Sequence, residues 1–158
     1  MNKIAIFPGS FDPITLGHYD IVIRSLNLFD KIIIAIGNNT EKKNMFSLNR
    51  RKEWVQKTFL NFVNIEIELF TGLAISFCIK KKANFILRGI RNQLDLEFEK
   101  NLYYSNKQLN KQLDNKYFIE TIFMLSSYGK SYINSCIVRD IIQNGGDYTT
   151  FVPSSVRV

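Results

Sequence analysis

The sequence predicts an α/β fold in which strands and helices alternate along 158 residues and the strands form a mostly parallel sheet. Short apolar runs rich in β-branched residues, such as residues 31–37, are typical of strands that are covered on both faces. The stretches between them carry apolar residues near helical spacing, and polar, glycine-containing segments separate the two patterns. Strands that alternate with helices in this way form βαβ units and therefore a parallel sheet.

Each predicted element has its own signal. Ile21, Val22 and Leu26 lie near helical spacing and predict the first helix. Ser47 is a suitable N-cap for the second helix, which starts directly after it. Residues 64–70 alternate apolar with acidic side chains and predict a half-exposed strand. In chain order, we predict strands at residues 4–7, 31–37, 64–70, 84–87 and 120–125, and helices that start near residues 17, 47, 72, 94 and 134.

Right-handed crossovers turn this order of elements into a Rossmann-like, doubly wound sheet of five strands with helices on both faces. Residues 1–158 are predicted to form a single domain, since the sequence has no internal repeat and no linker. Ligands of such sheets bind beyond the carboxyl ends of the strands. We therefore expect the polar segments that follow four of the strands to lie together at that edge. These segments cover residues 9–18, 38–43, 88–91 and 126–134.

The composition, with 46% hydrophobic and 22% charged residues, is typical of a soluble globular protein. No apolar run approaches the ~20 residues that cross a bilayer, and the first residues lack the pattern of a secretion signal. We therefore expect a cytoplasmic protein with no membrane partner. In that reducing compartment, Cys78 and Cys136 are expected to be buried small hydrophobic residues, and two cysteines with one histidine do not make a usual zinc site.

The formal charge of +7 suits an anionic partner, which can be a nucleic acid, an anionic membrane or a polyphosphate substrate. The basic residues are spread along the chain, and the densest run, residues 80–82, is most simply a solvated helix end. The aromatic residues fall mostly in core-like patterns, so we expect no nucleic-acid partner. A basic nucleotide- or RNA-binding module without catalysis is the alternative from a different functional class.

The first motif runs from the strand at Ile4 through Pro8-Gly9 to Thr15-Leu16-Gly17-His18 at a helix start. A helix N-terminus carries unpaired N–H groups and a partial positive charge, so it binds phosphate readily. Gly9 and Gly17 lack a Cβ atom and are expected to let a ligand lie against the backbone. The spacing fits neither the dinucleotide fingerprint nor a P-loop. We interpret it as a phosphate-binding corner with the chain's only histidine; an ordinary turn with a capping or buried histidine is the alternative.

The second motif is Leu87-Arg88-Gly89-Ile90-Arg91, at the end of the fourth predicted strand. Two guanidinium groups around a glycine can hold phosphate oxygens through forked, charge-assisted hydrogen bonds. The structural alternative is that these arginines pair with Asp95 or Glu99. Together with the first motif, the pattern favours phosphate binding.

Both motifs resemble the bacterial phosphopantetheine adenylyltransferases, which belong to the nucleotidyltransferase superfamily with its Thr/His-x-Gly-His signature. The resemblance covers nearly the whole chain, and the matching segments are residues 8–18, 42–46, 87–91, 95–99 and 145–147. It implies an enzyme of coenzyme A biosynthesis that joins ATP to 4′-phosphopantetheine by direct in-line attack on the α-phosphate, giving dephospho-coenzyme A and pyrophosphate. It also implies Mg²⁺ as cofactor, a homohexamer, and coenzyme A as a feedback ligand.

The resemblance also implies roles for individual residues. His18, Lys42 and Arg91 would be catalytic, and His18 would donate to the α-phosphate. Phosphopantetheine would be held by Ser10, Lys42, Leu73, Ala74 and Arg88. ATP would contact Gly9, Ser10, Phe11, Gly17, His18, Gly89, Ile90, Arg91, Glu99, Lys130, Ser131, Tyr132, Ile133, Asn134, Ser135 and Cys136. No metal-ligating side chain is predicted.

Two segments depart from the family pattern. Residues 133–136 read Ile-Asn-Ser-Cys where the family has Ile-Ser-Ser-Ser, although Asn134 remains a competent helix cap. Residues 105–117 are about six residues longer than is usual, and we interpret them as a surface extension. A glycerol-3-phosphate cytidylyltransferase shares the corner at Gly17 and His18 and is the alternative within the superfamily, but the pair of arginines with Lys42 favours the pantetheine enzyme.

Overall fold

The structure is a computed structural model that describes residues 2–38, 43–113 and 117–158. Strands and helices alternate through this described part of the chain, as the sequence predicts. The strands are β1 (Ile4–Gly9), β2 (Lys31–Gly37), β3 (Ile65–Phe70), β4 (Phe85–Ile90) and β5 (Glu120–Leu125). The helices are α1 (Leu16–Ser25), α2 (Leu48–Thr58), α3 (Ala74–Lys81), α4 (Gln93–Leu113) and α5 (Ser135–Gln143).

The five strands form one parallel sheet in the order β3-β2-β1-β4-β5. This confirms the predicted Rossmann-like, doubly wound architecture, with every pairing in the described sheet parallel. The chain builds outward from β1 to β2 and β3, then crosses to β4 on the other side of β1. The strand order therefore reverses between β1 and β4, which is the position where open α/β sheets bind ligands. The turns after Gly9 and Ile90 begin at this point.

The two faces of the sheet carry separate hydrophobic cores because successive side chains of a strand point to opposite faces. In β1, Ala5 and Phe7 belong to the larger core, whereas Ile6 belongs to the smaller one. Helix α2 contributes Trp54 and Val55 to the larger core. The central strands are thus covered on both sides, which explains their continuous apolar sequence.

The long segment before β5 differs from the predicted surface extension. Helix α4 continues to Leu113, and Leu109 packs against the smaller core together with Tyr117. Asn110 also donates a side-chain hydrogen bond to the carbonyl oxygen of Tyr117 at 2.8 Å. The surface interpretation is therefore wrong for Leu109 and Tyr117, which helical periodicity and the chain reversal turn toward the smaller core, whereas Ser105, Gln108 and residues 111–113 are exposed as expected. Residues 114–116 lie outside the described residues.

Other local predictions are confirmed. Ser47 caps α2, and its hydroxyl accepts a hydrogen bond from the backbone N–H of Arg50. Cys78 is fully buried, as expected. Among the residues that the structure describes, no helix combines the length and the hydrophobicity needed to span a membrane.

Candidate active site

An open cavity of about 430 Å³ lies at the carboxyl ends of β1 and β4. This volume is within the range of small-molecule sites. The cavity wall comes from the β1–α1 loop, the end of β4, the first turns of α4 and the start of α5. Its lining residues are Phe7, Pro8, Gly9, Ser10, Phe11, Asp12, Thr15, Gly17, His18, Ile21, Arg88, Gly89, Arg91, Asp95, Glu99, Ser126, Ile133, Asn134, Ser135, Cys136 and Arg139.

The first turn of α1 holds His18 through a reciprocal cap. Thr15 is the N-cap, and its hydroxyl accepts a hydrogen bond from the backbone N–H of His18. In return, the backbone N–H of Thr15 donates to Nδ1 of His18 at 3.1 Å, and the Thr15 hydroxyl lies 3.0 Å from the same nitrogen. Since Nδ1 accepts a backbone proton, the neutral ring carries its own proton on Nε2. His18 therefore does take part in a helix cap, which the sequence analysis gave as the alternative to a role in phosphate binding. The cap orients the ring of a histidine that also lines the cavity.

His18 is held in its neutral form at neutral pH. Burial, with smaller contributions from the positive charges of Arg91 and Arg88, lowers the pKa of His18 from 6.5 to about 4. The ring of Phe11 lies beside the imidazole, with their centroids 5.0 Å apart. The arrangement suits an uncharged hydrogen-bond donor, because a proton would be expensive to place on this ring.

The two glycines of the first motif serve packing between protein segments. A Cβ atom on Gly9 would lie 3.0 Å from the ring of Phe11, and one on Gly17 would lie 2.9 Å from the carbonyl oxygen of Ile133. The space that a side chain would need at these two positions is thus filled by protein, while the backbone of both glycines lines the cavity. At Gly17, the missing side chain lets the loop before α5 approach the start of α1.

Both arginines of the second motif line the cavity, and both form the pairs of the structural alternative. Arg88 binds Glu99 through a forked pair of hydrogen bonds, and Nη1 of Arg88 donates to the carbonyl oxygen of Pro8 at 2.8 Å. Arg91 makes a similar fork with Asp95, with Nε at 2.8 Å and Nη2 at 3.1 Å from its oxygens. A guanidinium has five N–H donors, so carboxylate pairing orients these groups without using all of them.

The start of α5 forms the opposite wall of the cavity. Asn134 caps this helix by accepting a hydrogen bond from the backbone N–H of Ile137 at 3.0 Å, as the sequence predicts. The hydroxyl of Ser135 donates to the carbonyl oxygen of Pro13 at 2.8 Å, which joins the helix to the β1–α1 loop. Cys136 is exposed and lines the cavity, so its predicted burial is wrong: it occupies the first turn of a helix that opens onto the site.

The N-termini of α1 and α5 therefore meet at one cavity. The backbone N–H of Gly17 in α1 and those of Ser135 and Cys136 in α5 have no hydrogen-bond acceptor within the described residues. With the partial positive charge of each helix start, they favour an anionic ligand. Asp20 connects α1 to the segment between β5 and α5. Its carboxylate accepts hydrogen bonds from the hydroxyl of Ser127 at 2.8 Å and from the backbone N–H of Ser127 at 3.2 Å.

Five polar residues that line the cavity escaped the sequence analysis as site residues: Asp12, Thr15, Asp95, Ser126 and Arg139. Arg139 lines the cavity and donates from Nη1 to the carbonyl oxygen of Asp12 at 2.7 Å. Helical spacing could have identified Arg139, because it lies four residues after the predicted site residue Ser135 and therefore on the same face of α5. Asp12 is buried. The sequence marks it less clearly as a site residue, because Asp followed by Pro is also common in ordinary turns.

The cavity brings together most of the residues predicted for the site, but six of those predicted do not line it: Leu73, Ala74, Ile90, Lys130, Ser131 and Tyr132. Ile90 is buried in the fold, and Leu73 follows β3, two strands away from β1. Lys42 lies outside the described residues. The contacts predicted for these seven residues stay predictions.

The carboxylates of the cavity are already engaged by the protein. Glu99 and Asp95 accept from the two arginines, and Asp12 accepts from the backbone N–H groups of Met45 and Phe46 at 2.8 and 2.9 Å. Within the described ranges, no group of three or more His, Cys, Asp or Glu side chains is arranged to hold a metal ion. These residues therefore do not fit a protein-held metal site.

A capped histidine, forked arginines and two helix N-termini on one cavity of a doubly wound sheet are typical of a site for nucleotide phosphates. A family model described as cytidylyltransferase-like matches residues 6–141. The fold is also similar to that of a bifunctional NMN adenylyltransferase/ADP ribose pyrophosphatase from Francisella tularensis, with a TM-score of 0.70 at 20% identity over 99% of this chain and 46% of that one. The chain is a cytidylyltransferase-like nucleotidyltransferase.

Full-length relatives narrow this class. The chain is 54% identical to a phosphopantetheine adenylyltransferase from Flavobacterium psychrophilum over 98% of this chain and 97% of the relative. It is 51% identical, with the same coverage, to a phosphopantetheine adenylyltransferase from Flavobacterium johnsoniae. It belongs to the phosphopantetheine adenylyltransferase family, and the family resemblance predicted from the two motifs is confirmed. The chain is accordingly an enzyme of coenzyme A biosynthesis, in preference to a cytidylyltransferase of glycerol phosphate or a non-catalytic binding module.

Proposed function

We propose that this enzyme transfers the adenylyl group of ATP to 4′-phosphopantetheine, giving dephospho-coenzyme A and pyrophosphate. The observation that carries the proposal is a neutral, oriented His18 on the same cavity as Arg88 and Arg91. In-line nucleotidyl transfer depends mainly on positioning the reactants and stabilising charge on the phosphate oxygens, and it requires no nucleophilic side chain.

In the proposed reaction, a phosphate oxygen of phosphopantetheine bonds to the α-phosphorus while the bond from that phosphorus to the bridging oxygen breaks. Pyrophosphate leaves with the bonding electron pair. Nε2–H of His18 donates to an α-phosphate oxygen, where charge develops in the transition state. The N–H groups at the starts of α1 and α5, with Arg91 and Arg139, hold the triphosphate, and Arg88 with Lys42 holds the phosphate of phosphopantetheine.

We propose that Mg²⁺ reaches the site bound to the phosphates of ATP. Mg²⁺ commonly keeps several waters and binds through substrate phosphates, so it does not need a dedicated set of protein ligands. The engaged carboxylates of the cavity agree with that mode of binding. The ion would neutralise phosphate charge, and the protein side chains would orient the reacting groups.

We also propose a homo-oligomer, a hexamer by family resemblance, in the cytoplasm, where ATP is supplied. Leu94, Phe98 and Leu102 support association, because they are exposed and form a stripe at four-residue spacing along α4. Coenzyme A is the proposed feedback ligand. It contains the adenylyl and pantetheine parts of the product, so it can compete for the same cavity.

The direct test is an assay with purified protein, Mg²⁺ and pairs of substrates. We expect dephospho-coenzyme A and pyrophosphate from ATP with phosphopantetheine, and turnover at least about tenfold lower when CTP replaces ATP or glycerol 3-phosphate replaces phosphopantetheine. Preference for CTP and glycerol 3-phosphate would contradict the proposal. RNA binding without turnover of any pair would contradict it as well.

Cys136 provides a second test that does not depend on turnover. Its thiol is exposed in the cavity, whereas Cys78 is buried and burial raises the pKa of the Cys78 thiol to about 12. A thiol reagent should therefore label one cysteine rapidly in the native protein and the second one after denaturation. Saturating ATP should slow the rapid reaction at least about tenfold.

The Cys136→Ser variant identifies the rapidly labelled residue, because it should retain only the slow reaction in the native state. Sodium chloride at equal ionic strength is the control for salt effects. A labelling rate of Cys136 that does not change with ATP would contradict binding of ATP at this helix start.

A further inference from the structure

A buried arginine lies behind the wall of the cavity. Arg51 of α2 is 2% exposed and is not among the residues that line the cavity. Its Nη1 donates to the carbonyl oxygens of Ser10 at 2.6 Å and Gly37 at 3.3 Å, and its Nε donates to that of Phe46 at 3.2 Å. One guanidinium thus joins the loop after β1, the end of β2 and the segment before α2.

The shortest of these bonds fixes the orientation of the peptide between Ser10 and Phe11. The C=O and N–H groups of a trans peptide point in opposite directions. Because the oxygen of Ser10 points to the buried guanidinium, the N–H of Phe11 points away from Arg51, and both residues of this peptide line the cavity. The N–H of Phe11 has no hydrogen-bond acceptor within the described ranges 2–38, 43–113 and 117–158.

The backbone of Phe11 needs such support. Its φ angle is +48°, in the left-handed region that a bulky residue seldom adopts. A conformation of this kind is unfavourable for a bulky side chain and persists only where surrounding contacts enforce it. The hydrogen bond from Arg51 and the packing of the Phe11 ring over Gly9 provide those contacts.

Asp12 balances the buried positive charge. It is 4% exposed, and its carboxylate accepts from the backbone N–H groups of Met45 and Phe46. Burial lowers the pKa of Arg51, and the negative charge of Asp12 opposes that effect. The two side chains therefore connect the β1–α1 loop to the segment that directly follows Lys42.

We propose that Arg51 is a positioning residue, which holds the Ser10–Phe11 peptide so that the N–H of Phe11 is presented to a substrate phosphate. This inference rests on the proposed adenylyl transfer and adds a backbone donor whose orientation is set from outside the cavity. If the peptide turned over, a carbonyl oxygen would face the phosphate, and an attractive contact would become a repulsive one. The role requires the planar guanidinium of arginine, because three carbonyl oxygens surround it. The ammonium group of a lysine, on a flexible side chain, does not match that geometry.

The kinetic test compares Arg51→Met, Arg51→Lys and Val55→Ala, all on α2. Val55 is fully buried in the larger core, so its truncation destabilises α2 without touching the cavity. We expect Arg51→Met to lower kcat about 100-fold, the typical cost of one misplaced donor to a developing anion. Arg51→Lys should stay at least about tenfold below the parent, and Val55→Ala within about twofold after correction for folded protein. Full activity in Arg51→Lys, or an equal loss in Val55→Ala, would overturn the inference.

A readout without turnover uses the amide of Phe11 directly. Labelling with ¹³C-carbonyl serine and ¹⁵N-phenylalanine selects Ser-Phe pairs, of which the sequence has two, Ser10-Phe11 and Ser76-Phe77. We expect inorganic pyrophosphate to shift the Phe11 signal in the parent but not in Arg51→Met. Phe77 is the internal reference, since its N–H is bonded to the carbonyl oxygen of Leu73 within α3.

The two readouts separate the inference from the proposed function. If the parent makes dephospho-coenzyme A but its Phe11 signal ignores pyrophosphate, the role of Arg51 is wrong and the function stands. If the Phe11 signal responds in the parent but not in Arg51→Met, and no dephospho-coenzyme A forms, the reaction is wrong and the orienting role of Arg51 stands.

Discussion

His18→Ala should lower kcat by about 100- to 1000-fold, the range measured when one preorganised donor to a developing anion is removed. Nδ1 of His18 accepts from Thr15, so the proton on Nε2 is the one available to a phosphate oxygen. The affinity for ATP should change by less than about threefold, since the helix N-termini and arginines still bind the triphosphate. Steady-state kinetics and calorimetric titration with ATP measure the two quantities separately.

His18→Gln tests whether the role is donation or acid catalysis. Glutamine supplies a neutral N–H at a similar reach, so we expect it to recover at least about tenfold in kcat over the alanine variant. If glutamine is as slow as alanine, donation by a neutral group is contradicted. In the parent, protonation of His18 should affect turnover only as pH falls toward about 4, because the pKa of the folded-state imidazole is lowered to that value.

The same pKa difference predicts a stability effect with a definite sign. The unfolded chain binds a proton at His18 with a pKa near 6.5, more readily than the folded chain does at about 4. Acidification from pH 7 to pH 5 should therefore cost the parent about 2 kcal/mol of unfolding free energy that His18→Gln does not lose. Urea denaturation of both proteins at the two pH values measures the difference.

The order of elements was predictable because it depends on local patterns. The β-branched run at Lys31–Gly37 and the cap at Ser47 each report on their immediate neighbours, and the structure confirms both. The position of the cavity also followed from topology, since the carboxyl ends of adjacent parallel strands share one edge. What the sequence alone left undecided was which side chains face each other across that edge.

Contacts between distant segments account for the residues that were missed or misjudged. Arg51 meets Ser10 and Gly37 only after α2 packs on the sheet, and nothing in residues 47–58 marks one arginine as buried. Cys136 was expected to be buried because cysteine usually is, but the start of α5 opens onto the cavity. For Arg88 and Arg91, both alternatives drawn from the sequence hold in part: each arginine is paired to a carboxylate and also lines the site.

Arg88→Met should destabilise the fold by about 3 kcal/mol and also weaken the use of phosphopantetheine. Glu99 is 6% exposed and accepts two hydrogen bonds from Arg88, so removal of the arginine leaves a buried carboxylate without its charge partner. Loss of a charge-assisted hydrogen bond to phosphate should raise the KM for phosphopantetheine by about 10- to 100-fold. Urea denaturation and initial rates at varied phosphopantetheine measure the two effects.

The double variant Arg88→Met with Glu99→Leu separates the structural contribution of Arg88 from its contribution to binding. Replacing a buried ion pair by apolar side chains is often neutral for stability, so the double variant should unfold within about 1 kcal/mol of the parent. Its KM for phosphopantetheine should nevertheless stay at least about tenfold high, because no guanidinium remains to hold the phosphate. Lys107→Met is the matched control: it breaks another ion pair of α4, with Glu120 at 2.8 Å, away from the cavity. Recovery of both stability and KM in the double variant would mean that Arg88 serves the fold alone.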